Sequence, residues 1–389
     1  MKLAVLGLGN AGGKITDKLI WFERESDRDL IRSAVAVNSA RVDLARLEHL
    51  PDENRFLIGQ TNPQVKGHGV GGDPDLGAEI TQTDQYEIER ALDAVPVHEV
   101  DGFLLVAGLG GGTGSGAAPS LARTLQTRYD EPVYGLGVLP SKDEGGRALL
   151  NAARSFQGFA DAVTNLILFD NDIWRGSGDT VEGGYDRTNE EIAKRLVTLL
   201  GAGEIDGSRI SENAMDSSDI RRTLMTGGVS TIAYAKTPTP SHQGLLSRFR
   251  SNGTDELAET DPATRVNGLI RKATQSRLTC PAAVESAERS LIVVSGPPDA
   301  LSRKGIESGR KWLEDQTKSA EVLTGDDPRD GTDHLAAAIL LSNVTEVPTV
   351  DRLQELAIDA QENIDTQQAL RDQEIANLVQ SDQNPLEPL

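Results

Sequence analysis

The chain is short of cysteine. Cys280 is the only one, which excludes an intramolecular disulfide and a zinc cluster built on cysteine. No apolar run reaches about 18 residues, so no transmembrane helix is expected. The opening stretch, MKLAVLGLGNAGGK, has too brief and too glycine-broken an apolar segment for a signal peptide. These absences point to a soluble cytoplasmic protein with no direct insertion into a membrane. Basic charge is scarce as well. Lys and Arg total 39 against 60 Asp and Glu, a formal net charge of −21. A field of that sign repels a polyphosphate backbone and argues against nucleic acid as a partner. Only 11 of the basic residues are lysine, and aromatics are 4% of the chain. Many acids with few lysines and few rings is the balance of a surface that stays hydrated in concentrated salt.

What is present is a patterned, core-forming chain. Its 389 residues, 38% of them hydrophobic, suffice for two or three domains. Nearly continuous apolar runs at Leu3 to Leu6, Ala34 to Val37, Phe103 to Ala107, Val133 to Leu139 and Leu166 to Phe169 predict strands covered on both faces. Helical patterns near 14–25, 40–50, 77–94, 115–129 and 145–163 lie between and after them. Strand then helix, five times over, predicts an α/β domain with a doubly wound parallel sheet. A long helix is expected from Thr188 to Leu200, where Ile192, Leu196, Leu199 and Leu200 make one apolar stripe, stopped by Gly201 and Gly203. The stretch 237–261 lacks periodicity and reads as a mobile surface loop. A second, smaller α/β unit follows, with helices near 265–275 and 299–316 and strands at Leu291 to Ser295 and Ala336 to Leu341. From Val350 the chain is polar and weakly helical, and its end, QSDQNPLEPL, reads as disordered. The expected organisation is a first domain over 1–186, a central helix over 187–203, a second domain over 204–349 and an acidic polar tail over 350–389.

Two glycine loops carry chemistry. Gly7-Leu8-Gly9-Asn10-Ala11-Gly12 fits G-x-G-x-x-G directly after a strand, the dinucleotide fingerprint in its proper context. A dinucleotide site also wants an acid at the end of the second strand, and that strand ends Ala36-Val37-Asn38-Ser39. The segment fails the Walker pattern too, since Ile15 follows Lys14. Gly9 to Lys14 therefore indicate a phosphate at a helix N-terminus and leave the ligand open, a nicotinamide or flavin cofactor included. The second loop, Gly110-Gly111-Gly112-Thr113-Gly114-Ser115-Gly116, lies between a buried strand and an amphipathic helix. Its consecutive backbone N–H groups can approach an anion without Cβ clash, and Thr113 and Ser115 add hydroxyls. Two such cradles on neighbouring strand ends imply a nucleotide with several phosphates.

GGGTGSG resembles the signature of the tubulin/FtsZ superfamily of GTP-binding, filament-forming proteins. The resemblance runs over about residues 1–235 and more loosely to about 345. With GNAGGK, VNSA, LPSKDEGG, FDND and GGY it is most like the tubulin-like CetZ group of salt-loving archaea. It implies a tubulin/FtsZ-like fold, GTP and GDP as ligands and Mg²⁺ held mainly through the phosphates, with no metal site made by the protein alone. It also implies a GTPase that polymerises with itself head to tail, compatible with lateral filament contacts, and that controls cell shape and motility. In this family Asn38 lies by the phosphates; from the residues alone it could equally cap the next helix. Gly71, Gly72 and Asp73 would face the terminal phosphate, while Asp73-Pro74 also reads as an N-cap followed by a first helical residue. Glu144 would bind ribose hydroxyls, or else stabilise a helix N-terminus. Asn171, Tyr185 and Asn189 would read the base, Tyr185 and Asn189 from one helical face. Asp216 and Asp219 match the D-x-x-D of the loop that FtsZ-like proteins insert into the next subunit's nucleotide site, where two carboxylates would orient the attacking water. The upstream Asn213 is displaced by one residue from the usual pattern. Two other readings stay open here: an FtsZ-type division GTPase, against which Tyr185 and Asn189 stand, and a Rossmann-type oxidoreductase resting on the first loop.

Overall fold

The computed structural model describes residues 1–93, 95–174, 181–203, 215–239, 261–317 and 319–381. Most of the loop expected at 237–261, the residue Asn213 and the last eight residues lie outside them. The first part of the chain runs β1 (Leu3–Leu8), α1 (Gly9–Glu25), β2 (Ile31–Asn38), α2 (Arg41–Ala45), β3 (Arg55–Leu57), α3 (Pro74–Thr83), α4 (Gln85–Asp93), β4 (Gly102–Gly108), α5 (Thr113–Arg128), β5 (Val133–Leu139), α6 (Gly146–Ala160), β6 (Asn165–Asp170) and α7 (Asn171–Trp174). It continues with α8 (Val181–Leu200), α9 (Ser217–Leu224), β7 (Val229–Pro238), α10 (Pro262–Thr274), β8 (Ala287–Gly296), α11 (Arg303–Thr317), β9 (Glu321–Pro328), β10 (His334–Val344) and α12 (Pro348–Ser381).

The strands lie in the order β3-β2-β1-β4-β5-β6-β7-β10-β8-β9. Among the described residues every pairing is parallel except those of β10, which runs antiparallel to β7 and β8. The second α/β unit thus continues the first sheet instead of forming one apart. The seam between them is narrow: β6 meets β7 through Leu166 with Val229 and Ile167 with Ser230.

Alternation along the strands sends successive side chains to the two faces of the sheet, where three apolar clusters form. On β1, Ala4, Leu6 and Leu8 enter one cluster while Leu3 and Val5 enter a second; on β4, Phe103 and Leu105 oppose Leu104 and Val106. The expected stripe of α8, Ile192, Leu196, Leu199 and Leu200, packs into the second cluster. That helix begins seven residues before the expected Thr188. Gly183 and Gly184 are poor helix formers and concealed its first turns from propensity, and packing against α1, including the 2.9 Å ion pair of Lys18 with Asp186, holds it. The tail departs further from expectation, since α12 is one helix of 34 residues. Its first turns bury Leu353 and Ala357 against α6, whereas Leu370 and Ile375 beyond them are exposed.

Arg28, between α1 and β2, ties the first part of the chain to the ends of β8 and β9. Its Nη2 donates to Asp327 Oδ2 at 2.6 Å and to Ser295 Oγ at 3.1 Å. Burial works to lower the Arg28 pKa, and the Asp327 charge opposes this. Arg28→Ala leaves the buried Asp327 with Arg329 as its remaining cation, so it is expected to destabilise the fold by about 2 kcal/mol, the scale of a lost hydrogen bond to a charged group. Urea unfolding at fixed salt measures it, and an unchanged midpoint would show the pair to be inert.

Candidate nucleotide site

A cleft of about 480 Å³ opens at the carboxyl ends of β1, β4, β5 and β6. It sits where the strand order reverses, between β1 and β4, because the connections leaving those neighbouring strands turn to opposite faces and part there. The structure brings to its wall Gly9, Asn10, Ala11 and Lys14 from the first loop, Asn38 from the end of β2, and Gly71 and Gly72 from a third glycine-rich loop, Gly67 to Asp73, ahead of α3. Gly110, Gly111, Gly112, Thr113 and Gly114 join them from the second loop, as do Glu144, Asn171, Tyr185 and Asn189.

Two helices point their amino ends at this cleft, and neither α1 nor α5 carries a side-chain cap. Their first-turn N–H groups are therefore left for a ligand, and the helix dipoles favour an anion. The contrast with α3 is direct, because Asp73 caps that helix by accepting from the N–H groups of Asp75 and Leu76 at 3.0 and 3.1 Å. Gly9 sits at φ +69°, and a Cβ there would lie 2.8 Å from the Gly114 nitrogen, so glycine alone lets the two loops abut. Further bonds fix the loops to one another. Ser39 Oγ and Thr113 Oγ1 are 2.7 Å apart, and Asn151 Nδ2 donates to the carbonyls of Gly72 at 2.9 Å and Gly110 at 3.1 Å.

The rest of the lining includes the polar side chains of Asn171, Asn189, Tyr185 and Glu144. Asn171 is buried, lines the cleft, and its Oδ1 has no partner among the described residues. An acceptor left bare in a buried wall awaits a donor from a ligand. Tyr185 and Asn189, one turn apart on α8, line the same cleft. Glu144 completes a capping box, its Oε1 accepting the Ser141 N–H at 2.9 Å. Asn38 does not cap α2. Its Oδ1 accepts from the N–H groups of Ser39 at 2.8 Å and Ala40 at 3.3 Å, which shapes the turn at the cleft rim.

Several expected residues stand behind the wall. A Cβ on Gly12 would lie 2.1 Å from the Val106 carbonyl oxygen, and one on Gly116 would lie 2.2 Å from that of Pro74, so both permit close packing of helices. Gly13 faces Leu47, Ser115 Oγ donates to the Gly111 carbonyl, and Asp73 is the cap of α3. Asp216 and Asp219 do not reach the cleft of their own chain. They lie in the cap and first turn of α9, which packs on β8 toward the far edge of the sheet. The cleft also includes residues outside the expected set: Ser39, Asp43, His68, Gly69 and Pro140. Their only signal in the sequence is adjacency to the loops. Among the described residues no group of three or more His, Cys, Asp or Glu is placed to hold a metal ion, and no helix is long and apolar enough to cross a membrane.

Known proteins share this architecture. The model of the tubulin/FtsZ family GTPase domain matches residues 2–179, and that of the tubulin-like CetZ C-terminal domain matches residues 178–359. Tubulin-like protein CetZ1 of Haloferax volcanii is 53% identical over 372 residues, 94% of each chain. The solved structure of CetZ1 from that organism, a GDP-bound monomer, superposes with a TM-score of 0.82 at 51% identity, covering 93% of this chain and all of that one. CetZ2 from the same organism, a GTPγS-bound protofilament, gives 0.81 at 38% identity over 94% of this chain and all of that one. With both domain models matched in order and a relative at that identity along nearly its whole length, the chain belongs to the tubulin-like CetZ family of the tubulin/FtsZ superfamily.

Proposed function

We infer that the cleft binds GTP and GDP, and that the chain assembles head to tail and hydrolyses GTP at the junctions. The observation that carries this reading is the pairing of two uncapped helix ends with one bare buried acceptor across a single cleft. The helix ends and Lys14 suit a run of phosphates, and those phosphates would carry Mg²⁺. Asn171, Asn189 and the ring of Tyr185 suit a purine with N–H donors on its edge, and Glu144 suits ribose hydroxyls.

The catalytic acids would come from the adjoining copy. Asp216 and Asp219 sit at a distance from their own cleft, so a second subunit is the natural recipient of their carboxylates. The backbone N–H of Ser218 holds the Asp216 carboxyl below its usual range. Burial, followed by the charge of Asp216, pushes Asp219 above its own. One acid thus stays ionised while the other is the readier proton acceptor, a division that suits orienting and deprotonating the water that attacks the γ-phosphorus. GDP and phosphate leave. A contact of one end with the other does not close on itself, so the product of assembly is a filament. The chain's cellular role on this reading is control of shape and motility, in keeping with its family.

The test is GTP hydrolysis per subunit, measured as the protein is diluted. It should be negligible at low concentration and climb steeply to a plateau, with filaments in electron micrographs under GTP and none under GDP. A rate per subunit that holds constant down to high dilution would overturn the proposal.

A further inference from the structure

The turn that presents Asn171 is held from a distant part of the sequence. Asp170, immediately before it, is buried. Its Oδ1 accepts the Asp172 N–H at 2.9 Å, and its Oδ2 accepts from Thr349 Oγ1 at 3.1 Å. Asp172, immediately after it, accepts from Arg352 Nη2 at 2.7 Å through Oδ2. Its Oδ1 accepts the backbone N–H of Lys142 at 3.3 Å. Lys142 opens the short turn that ends in Glu144, the other cleft residue on this side. Thr349 and Arg352 both belong to the first turn and a half of α12, which is anchored on α6 by Leu353 and Ala357. One end of a long helix therefore grips both acids that flank Asn171, and one of those acids also braces the turn of Glu144.

We propose that Thr349 and Arg352 are positioning residues for the base and ribose end of the nucleotide, acting through Asp170 and Asp172 on Asn171 and Glu144. The proposal rests on the reading of the cleft as a guanine-nucleotide site. The Thr349 hydroxyl is a donor to a buried carboxylate; without it, that carboxylate shifts toward other partners and takes the strand-to-helix turn with it. The Arg352 side chain is 53% exposed, while that of Asp172 is 13% exposed. Its effect is correspondingly the smaller of the two.

The experiment compares binding of GDP and of inorganic tripolyphosphate, by competition against a fluorescent GDP, in the full chain and in Thr349→Val and Arg352→Gln. The expected result is about 10-fold weaker GDP binding for Thr349→Val and about 3-fold for Arg352→Gln, the scale of one lost charge-assisted hydrogen bond. Tripolyphosphate, which meets only the loops and helix ends, should compete as before. Arg352→Lys, which keeps a donor and the charge, should recover part of the loss. Variants that bind GDP like the parent, or that lose GDP and tripolyphosphate in equal proportion, would overturn the inference. A parent chain that binds tripolyphosphate but shows no preference for GDP would instead overturn the reading of the cleft on which it rests.

Discussion

Asp216→Ala should bind GDP as the parent does and hydrolyse GTP on the order of 100-fold more slowly, the low end of what a positioned acid or base contributes. The separation of the two effects follows from where the residue sits. It touches nothing in its own cleft, so affinity has no reason to change, while the carboxylate it would lend to the next copy is gone. A structural cost travels with the substitution. Asp216 Oδ1 accepts the Ser218 N–H at 3.0 Å and caps α9, so its loss is expected to cost about 1 kcal/mol of stability. Asp216→Asn keeps the acceptor and removes the charge, which isolates catalysis from capping. Both are read by single-turnover hydrolysis above the assembly threshold, beside titration with a fluorescent GDP. Weakened GDP binding would place the acid in its own cleft, and undiminished turnover would take it out of the chemistry.

The complementary loss comes from Gly9→Ala. The residue lies in the left-handed region at φ +69°, and its new methyl would stand 2.8 Å from the Gly114 nitrogen. Strain at that φ together with displacement of the second loop is worth about 3 kcal/mol, or about 100-fold in nucleotide affinity. At a GTP concentration that only just saturates the parent, each variant alone should turn over at a few per cent of the parental rate or less, roughly the 100-fold losses above. Mixed in equal amounts they should recover roughly a quarter of the parental rate, since random heterologous contacts bring an intact cleft onto intact acids at that frequency. The assay is phosphate release from the mixture, with co-sedimentation to show that the two variants enter one polymer. A mixture that co-sediments and stays silent would mean that the acids are not lent between copies.

The alternation of apolar runs made the first six strands of the nucleotide half largely legible, with β3 as the exception. Three residues, Arg55–Leu57, are too few to show a period. Other elements hid for different reasons. The strand Glu321–Pro328 reads EVLTGDDP, and its second half looks like a loop because the acids there are answered from elsewhere, Asp327 by Arg28 and Arg329. The helix Pro348–Ser381 was legible as weak helix only, since no apolar stripe runs along its far half and its near half is held by contacts with α6. The lining of the cleft was legible where backbone conformation dictates composition, in the glycine loops, and where the family resemblance pointed to a residue, as at Asn171, which lines it. It was not legible at Asn151, Thr349 and Arg352, because polar residues that brace a wall from behind carry no local signature. Close packing demands glycine at Gly12 and Gly116, and Asp73 caps a helix, so the residue types at these three positions have a structural reason beside any place near a phosphate.

Gly12 has a bearing on how such sequences are sorted. The helix carrying it presses so tightly on β4 that a single added methyl would intrude on the Val106 carbonyl. That demand comes from the distance between a helix and a strand and is indifferent to what occupies the crevice beside them. Enzymes that carry redox dinucleotides and polymers that split a triphosphate can thus arrive at one six-letter spelling by independent routes. A catalogue compiled on that spelling would group chains by the intimacy of a joint, and telling the ligands apart falls to the wall across the crevice.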